Sequence, residues 1–176
     1  LTDGAVTEVL ANLGNGTLNS DGNVILNGGA AAETANVNSG TLTLNGQLTG
    51  VTTLNISDGG TLVSGGAERI NDTAITNIAT GGTMTLNGEE TITTLNSGGR
   101  LNGNGTLSAA TYNLTDGAVT ETLANLGTGT LNSDGTIILN GDAAAETTNV
   151  NTGTLNLNGQ LTGVTELNIS QGATLA

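Results

Sequence analysis

The chain has 176 residues, a formal net charge of −13 at neutral pH, 29 Gly, and no His, Cys, Pro, Trp or Phe. The lack of His and Cys excludes Ser-His-Asp and Cys-His catalysis and the usual zinc sites. Two Arg without any Lys cannot form the cationic surface that nucleic acid or an anionic membrane requires. No stretch approaches the roughly 18 apolar residues of a membrane span, so we expect no membrane insertion of this segment.

A long tandem repeat organises the chain. Residues 1–63 recur at 114–176, an offset of 113, and 51 of the 63 aligned positions are identical. We therefore divide the chain into one full long repeat, 1–113, and a partial second repeat, 114–176. The same short phrases run through both parts, which predicts a single structural unit over 1–176.

Short alternating phrases, taken in chain order, predict β-strands. TLTLNG at 41–46, TTLNIS at 52–57 and TMTLNG at 83–88 place Leu, Ile or Met at every second position, with Thr, Asn or Ser between them. Such alternation is typical of strands. SDGG at 57–60 and NSGG at 96–99 are predicted turns, since Gly and Asn accept a positive φ.

Two stretches, 8–13 and 29–35, compete as helices. The second contains AAAE, which has helix propensity. Each stretch is shorter than two helical turns and is flanked by Gly and Asn. We therefore expect short connections at both places.

Segments of 17 to 22 residues separate successive Gly-rich turns in the first long repeat. One such segment cannot bury an apolar face alone, but stacked copies can, with each coil pairing to its neighbours at roughly 4.8 Å. The predicted fold is an all-β, right-handed parallel β-helix (a β-solenoid) of about nine coils of roughly 19 residues. Right-handed winding is expected because parallel crossovers favour that sense.

The asparagine of the recurring LNG phrase is predicted to form a structural ladder. Identical side chains at the same place in successive coils stack along the rod, and stacked amides hydrogen-bond to one another. We interpret these residues as corner residues and not as ligands. The predicted ladder residues are Asn27, Asn45, Asn87, Asn140 and Asn158.

Carboxylates are the remaining candidates for chemistry. Adjacent residues of a strand point to opposite faces, so Glu89 and Glu90 need not cooperate. We interpret the carboxylates as solvated surface charge and predict no catalytic residue, no cofactor and no enzyme activity. The residues considered are Glu89 with Glu90, Glu68 with Asp72, and the repeated pair Glu33 and Glu146.

Calcium is the one metal that the sequence leaves open. Asp58 and Asp134 lie in Asp-Gly turns that could offer oxygen ligands. Asp58 is replaced by Gln171 in the second repeat, an exchange that a turn tolerates and a ligand does not. We therefore predict no metal site and leave weak calcium binding as an alternative.

Three phrases carry a resemblance to a known family. GTLTLNG at 40–46, TLNISDGGTL at 53–62 and NSGGRLNGNGTL at 96–107 resemble the passenger repeats of bacterial type V-secreted adhesins, that is, autotransporters and filamentous-haemagglutinin-like proteins. The resemblance implies a β-helical rod, secreted or held at the bacterial cell surface, that serves adhesion or biofilm formation. Its expected partner is a surface receptor of a host or a bacterium, or a second copy bound end to end or side by side.

The repeats also fit a second function. The open strand edges at the two ends of a solenoid favour stacking of one subunit on the next. The alternative is therefore a structural subunit of a self-assembling extracellular filament, sheath or surface layer.

Overall fold

The computed structural model describes residues 1–6, 15–120 and 125–176, and in those ranges every regular element is a β-strand. The predicted connection at 8–13 lies outside the described residues, and the stretch 29–35 contains the short strand β3 and no helix. The strands are β1 (Thr2–Val6), β2 (Thr17–Leu26), β3 (Ala30–Ala31), β4 (Thr34–Leu44), β5 (Leu48–Thr49), β6 (Thr53–Ile56), β7 (Gly60–Ser64), β8 (Ile75–Ile78), β9 (Thr83–Leu86), β10 (Glu90–Ser97), β11 (Arg100–Gly103), β12 (Thr106–Thr115), β13 (Val119–Thr120), β14 (Asn125–Leu126), β15 (Thr130–Leu139), β16 (Thr147–Leu157), β17 (Glu166–Ile169) and β18 (Thr174–Leu175).

Strand pairing makes the fold a β-solenoid, as predicted. The described strands pair in parallel, each with a strand about one turn of chain away; Thr34 of β4 lies opposite Thr53 of β6, which lies opposite Ile75 of β8. The structure has about eight turns of about 19 residues, one fewer than the sequence predicted. Right-handed winding stays a prediction.

The strands form three stacks along the rod. The first stack, which we call the asparagine face, consists of 17–20, 34–37, 53–56, 75–78, 94–97, 111–114, 130–133, 147–150 and 166–169. The second stack contains β7, β9, β11, β13 and β18 together with the later halves of β2, β4, β15 and β16. The third stack contains β3, β5 and β14 and the first residues of β10 and β12.

Small aliphatic side chains fill the lumen between the stacks. On β6, Leu54 and Ile56 are buried and alternate with half-buried Thr53 and Asn55. Burying one such side chain stabilises the fold by roughly 1.5–3 kcal/mol, and the stack repeats that gain in turn after turn. The inward positions also carry a few hydroxyls without a hydrogen-bond partner, on Ser20, Thr76, Ser133 and Thr148.

The two long repeats share features of the backbone as well as of the sequence. The pairing of β2 with β4 shifts register between Ser20 and Asp21, and the pairing of β15 with β16 shifts at the equivalent Ser133 and Asp134. Gly40 and its equivalent Gly153 both have a φ of 67°. A Cβ at either position would lie against the glycine carbonyl of the coil beneath, so both the φ and the space require Gly there.

Candidate functional site

A continuous ladder of asparagine side chains runs along the asparagine face. Each amide Nδ2 donates to Oδ1 of the preceding rung at 2.8–2.9 Å, and successive rungs are 17 to 22 residues apart. The rungs are Asn19, Asn36, Asn55, Asn77, Asn96, Asn113, Asn132, Asn149 and Asn168.

The ladder follows from strand register. The rungs from Asn19 to Asn149 each occupy the same outward position between two buried residues, as Asn55 does between Leu54 and Ile56. Parallel pairing without a slip brings these positions opposite one another in each turn. An amide offers both a donor and an acceptor, so each interior rung can bond the coil below and the coil above.

The asparagines predicted from the LNG phrase form isolated pairs instead of one ladder. Asn45 donates to Asn27 at 2.7 Å, and Asn158 donates to Asn140 at 2.7 Å. Asn87 contacts the coil beneath through its backbone N–H, which donates to the carbonyl of Ser64. The nine rungs were missed because their phrases differ in length and wording, although most share a Thr two positions before the Asn.

A groove of about 430 Å³ lies beside the ladder. Amides, hydroxyls and aliphatic side chains line it, including Ile56, Ile78, Ser97 and Thr115 next to the rungs Asn77 and Asn96. Such a lining can hydrogen-bond a polar surface, but it offers no acid or base for proton transfer.

The carboxylates differ in burial, and the prediction that all of them are solvated surface charge is wrong for Glu90. Glu89, Asp72, Glu33 and Glu146 are exposed as expected. Glu90 is fully buried, because β10 turns its side chain inward at the start of the strand. Its pKa is raised above the ordinary value, chiefly by burial away from water and also by the nearby charge of Glu68.

The segment 64–70 surrounds the Glu90 carboxylate. Oε1 and Oε2 accept from the backbone N–H of Arg69 at 2.9 and 3.0 Å, and Oε2 accepts from the N–H of Ile70 at 3.1 Å. Oε1 also lies 2.5 Å from Oγ of Ser64. These bonds lower the pKa and partly offset the effect of burial.

Glu68 and Asp72 share the rim of a smaller cavity of about 220 Å³, which Gln47, Leu48 and Asn71 also line. Glu68 has a φ of 50°, the one positive φ of a non-glycine residue in the described part of the chain. Its Oε1 accepts from the hydroxyl of Thr91 at 3.1 Å, while Oε2 is buried without a partner.

The two aspartates considered for calcium lie in separate turns. Oδ2 of Asp134 accepts from the amide of Asn151 at 3.3 Å, and Asp58 lies against Gly81 of the next coil. Among residues 1–6, 15–120 and 125–176, no group of three or more His, Cys, Asp or Glu is arranged to hold a metal ion.

Tyr112 is a buried polar residue to which the sequence analysis assigned no role. It stands on β12 at a position occupied by Leu95 and Leu131 in the adjacent coils, and it is fully buried. Its hydroxyl donates to the carbonyl of Leu107 at 2.9 Å and accepts from the N–H of Ala109 at 2.8 Å. Burial raises its pKa to about 12.

No protein-family model, no curated protein and no solved structure matches the chain. In the described ranges, no helix is long and apolar enough to cross a membrane.

Proposed function

We propose that this chain is a length of extracellular rod that acts as the stalk of a bacterial surface adhesin. The observation that supports it most is the uniformity of the stack, in which one ladder position is occupied by Asn in nine successive rungs from Asn19 to Asn168. A repeated structure of this kind gains length with each unit. Reach from a cell surface is a function that length alone can supply.

We place the rod outside the cell, secreted or bound at the bacterial surface, and assign it no catalytic role. The groove beside the ladder carries amides and hydroxyls, which fit adhesive contact with a polar receptor better than turnover of a substrate. The resemblance of GTLTLNG at 40–46 and of TLNISDGGTL at 53–62 to adhesin passenger repeats supports the same reading.

A structural filament is the second candidate, because another coil could stack on the apolar side chains of β17. Leu167 and Ile169 of β17 are 45% and 48% exposed, whereas the equivalent Leu54 and Ile56 of the first repeat are buried beneath β8. A further coil stacked on β17 would bury these side chains. That coil could belong to a longer chain, as in a stalk, or to a second copy, as in a filament.

Negative-stain electron microscopy of the native material distinguishes the two candidates. The stalk predicts isolated rods of a length set by the chain and anchored at the cell surface. Continuous fibres of uniform width, much longer than one chain, would replace the stalk with the filament. Compact particles would contradict both proposals.

A further inference from the structure

Glu90 lies where the third stack lacks a continuous ladder of backbone bonds. On one side β10 pairs with β12, with Glu90 opposite Leu107. On the other side lies the segment 64–70, where the side chain of Glu90 supplies the acceptors for the N–H groups of Arg69 and Ile70. A carboxyl group therefore takes the place of a strand's carbonyls and joins two neighbouring coils.

The contacts of Ser64 indicate whether the Glu90 carboxyl group carries a proton. Its Oγ lies 2.6 Å from the carbonyl oxygen of Gly66 and 2.5 Å from Oε1 of Glu90. A hydroxyl has one hydrogen to donate. If Glu90 is ionised, both neighbours are pure acceptors and one short contact lacks a hydrogen. If Glu90 carries a proton, it donates to Ser64, and Ser64 donates to Gly66.

We propose that Glu90 joins the segment 64–70 to β10 in its neutral carboxylic acid form and acts as a pH-sensitive clasp between them. With the proton in place, every short contact around the carboxyl group has one donor and one acceptor. Loss of the proton leaves two acceptors facing the single hydroxyl hydrogen of Ser64, and it places a charge in a fully buried position. The clasp is therefore closed in acid and weakened as the pH rises.

The charged surroundings agree with this direction. Burial is the largest influence on the pKa of Glu90 and raises it; the bonds from Ser64, Arg69 and Ile70 lower it, the charge of Glu68 raises it, and the net shift is upward. The Arg69 side chain belongs to the same segment, and its Nε is buried without a hydrogen-bond partner. Glu89 is the exposed neighbour on the chain, and β12 contributes Tyr112, whose hydroxyl is bonded to β12 itself. The adjoining strands β7 and β8 contain no titratable residue.

The sign of the pH dependence follows from the raised pKa. An acid that is harder to ionise in the folded state contributes its full stability below the pKa of the unfolded chain, which for Glu is 4.5. That contribution is lost as the pH rises through the higher pKa of the folded rod. Stability should therefore fall on the alkaline side of that pKa.

The variant Glu90→Gln tests the clasp, because its amide copies the protonated acid. With its NH₂ in the Oε1 position, Gln can donate to Ser64, and its carbonyl in the Oε2 position can accept from the N–H of Arg69 and of Ile70, so that one of the two contacts of the Arg69 N–H is lost. Above the folded pKa we expect this variant to melt about 2–4 °C higher than the wild type, with the difference disappearing in acid. The matched control is Glu89→Gln, which removes an exposed charge and should leave the wild-type pH profile unchanged. A Glu90→Gln variant that melts below the wild type at every pH would overturn the proposal.

A titration of the Glu90 carboxyl carbon by carbon-13 NMR measures the proton directly, with the signal assigned by its loss in Glu90→Gln. An apparent pKa above 4.5 is expected, and one at or below that value would reject the neutral acid.

Discussion

The inward positions of the rod carry the side chains that fill its lumen. Most of these positions hold Leu, Ile, Val or Ala, and Tyr112 is the largest fully buried side chain in the described residues. A buried phenol needs hydrogen-bond partners. Tyr112 finds them in Leu107 and Ala109, so it ties the asparagine face to the third stack.

Titration of Tyr112 gives a residue-scale prediction, because the chain has one Tyr and no Trp. The pKa of Tyr112 is raised from 10.0 to about 12 by burial. The phenolate absorbance of the folded protein should therefore appear near pH 12, and that of the protein in denaturant near pH 10. The raised pKa means that the stabilising contribution of the neutral phenol is complete below pH 10 and is lost as the pH rises from 10 towards 12. A native titration that coincides with the denatured one would show that the hydroxyl is accessible to water.

At the scale of the strands, the alternating phrases predicted the strand positions correctly. The placement of single residues, such as Glu90 and the ladder asparagines, was not predicted correctly. TTLNIS at 52–57 contains β6, and TMTLNG at 83–88 contains β9. Alternation reports which face of a strand is buried, and that depends on neighbours within the phrase. The strands β3 and β5 were missed because two residues are too few to show a period.

The burial of Glu90 could not be predicted, because its partners Ser64, Arg69 and Ile70 lie 20 to 26 residues earlier in the chain. Nothing in the local pair of glutamates distinguishes Glu90 from the exposed Glu89. The ladder was misplaced for a related reason. The sequence shows which asparagines recur within identical phrases. The ladder instead joins asparagines that lie opposite one another in the paired strands, whatever phrase they belong to.

Replacing one interior rung tests the ladder as an element. Asn96 donates to Asn77 and accepts from Asn113, so Asn96→Ala removes two hydrogen bonds on a half-buried surface. At about 1 kcal/mol for each bond, the free energy of unfolding should fall by about 2 kcal/mol. Denaturant unfolding followed by circular dichroism measures the change.

The control for that variant is Asn140→Ala, which removes the single bond from Asn158 at an exposed pair. Its cost should be half that of Asn96→Ala or less. If the two variants lose the same stability, the continuous ladder contributes no more than a pair of surface amides.

At the scale of the whole molecule, the spacing of the ladder shows how much length one long repeat adds to the rod. Asn19 and Asn132 are equivalent residues of the two long repeats, 113 positions apart, and the rungs Asn36, Asn55, Asn77, Asn96 and Asn113 lie between them. One long repeat therefore makes six turns of the solenoid. At roughly 4.8 Å for each turn, it adds about 29 Å to the rod.

Inserting one further copy of residues 1–113 ahead of residue 114 should therefore lengthen the molecule by about 29 Å without widening it. The maximum dimension and the cross-section from small-angle X-ray scattering measure both quantities. The same number of residues in a flexible chain would add a mean span of about 60 Å and increase the width. An increment near 29 Å at constant width would show that the repeats continue one rod, which both the stalk and the filament require. A larger increment with a wider cross-section would mean that the junction between repeats does not stack, and both proposed functions would lose their physical basis.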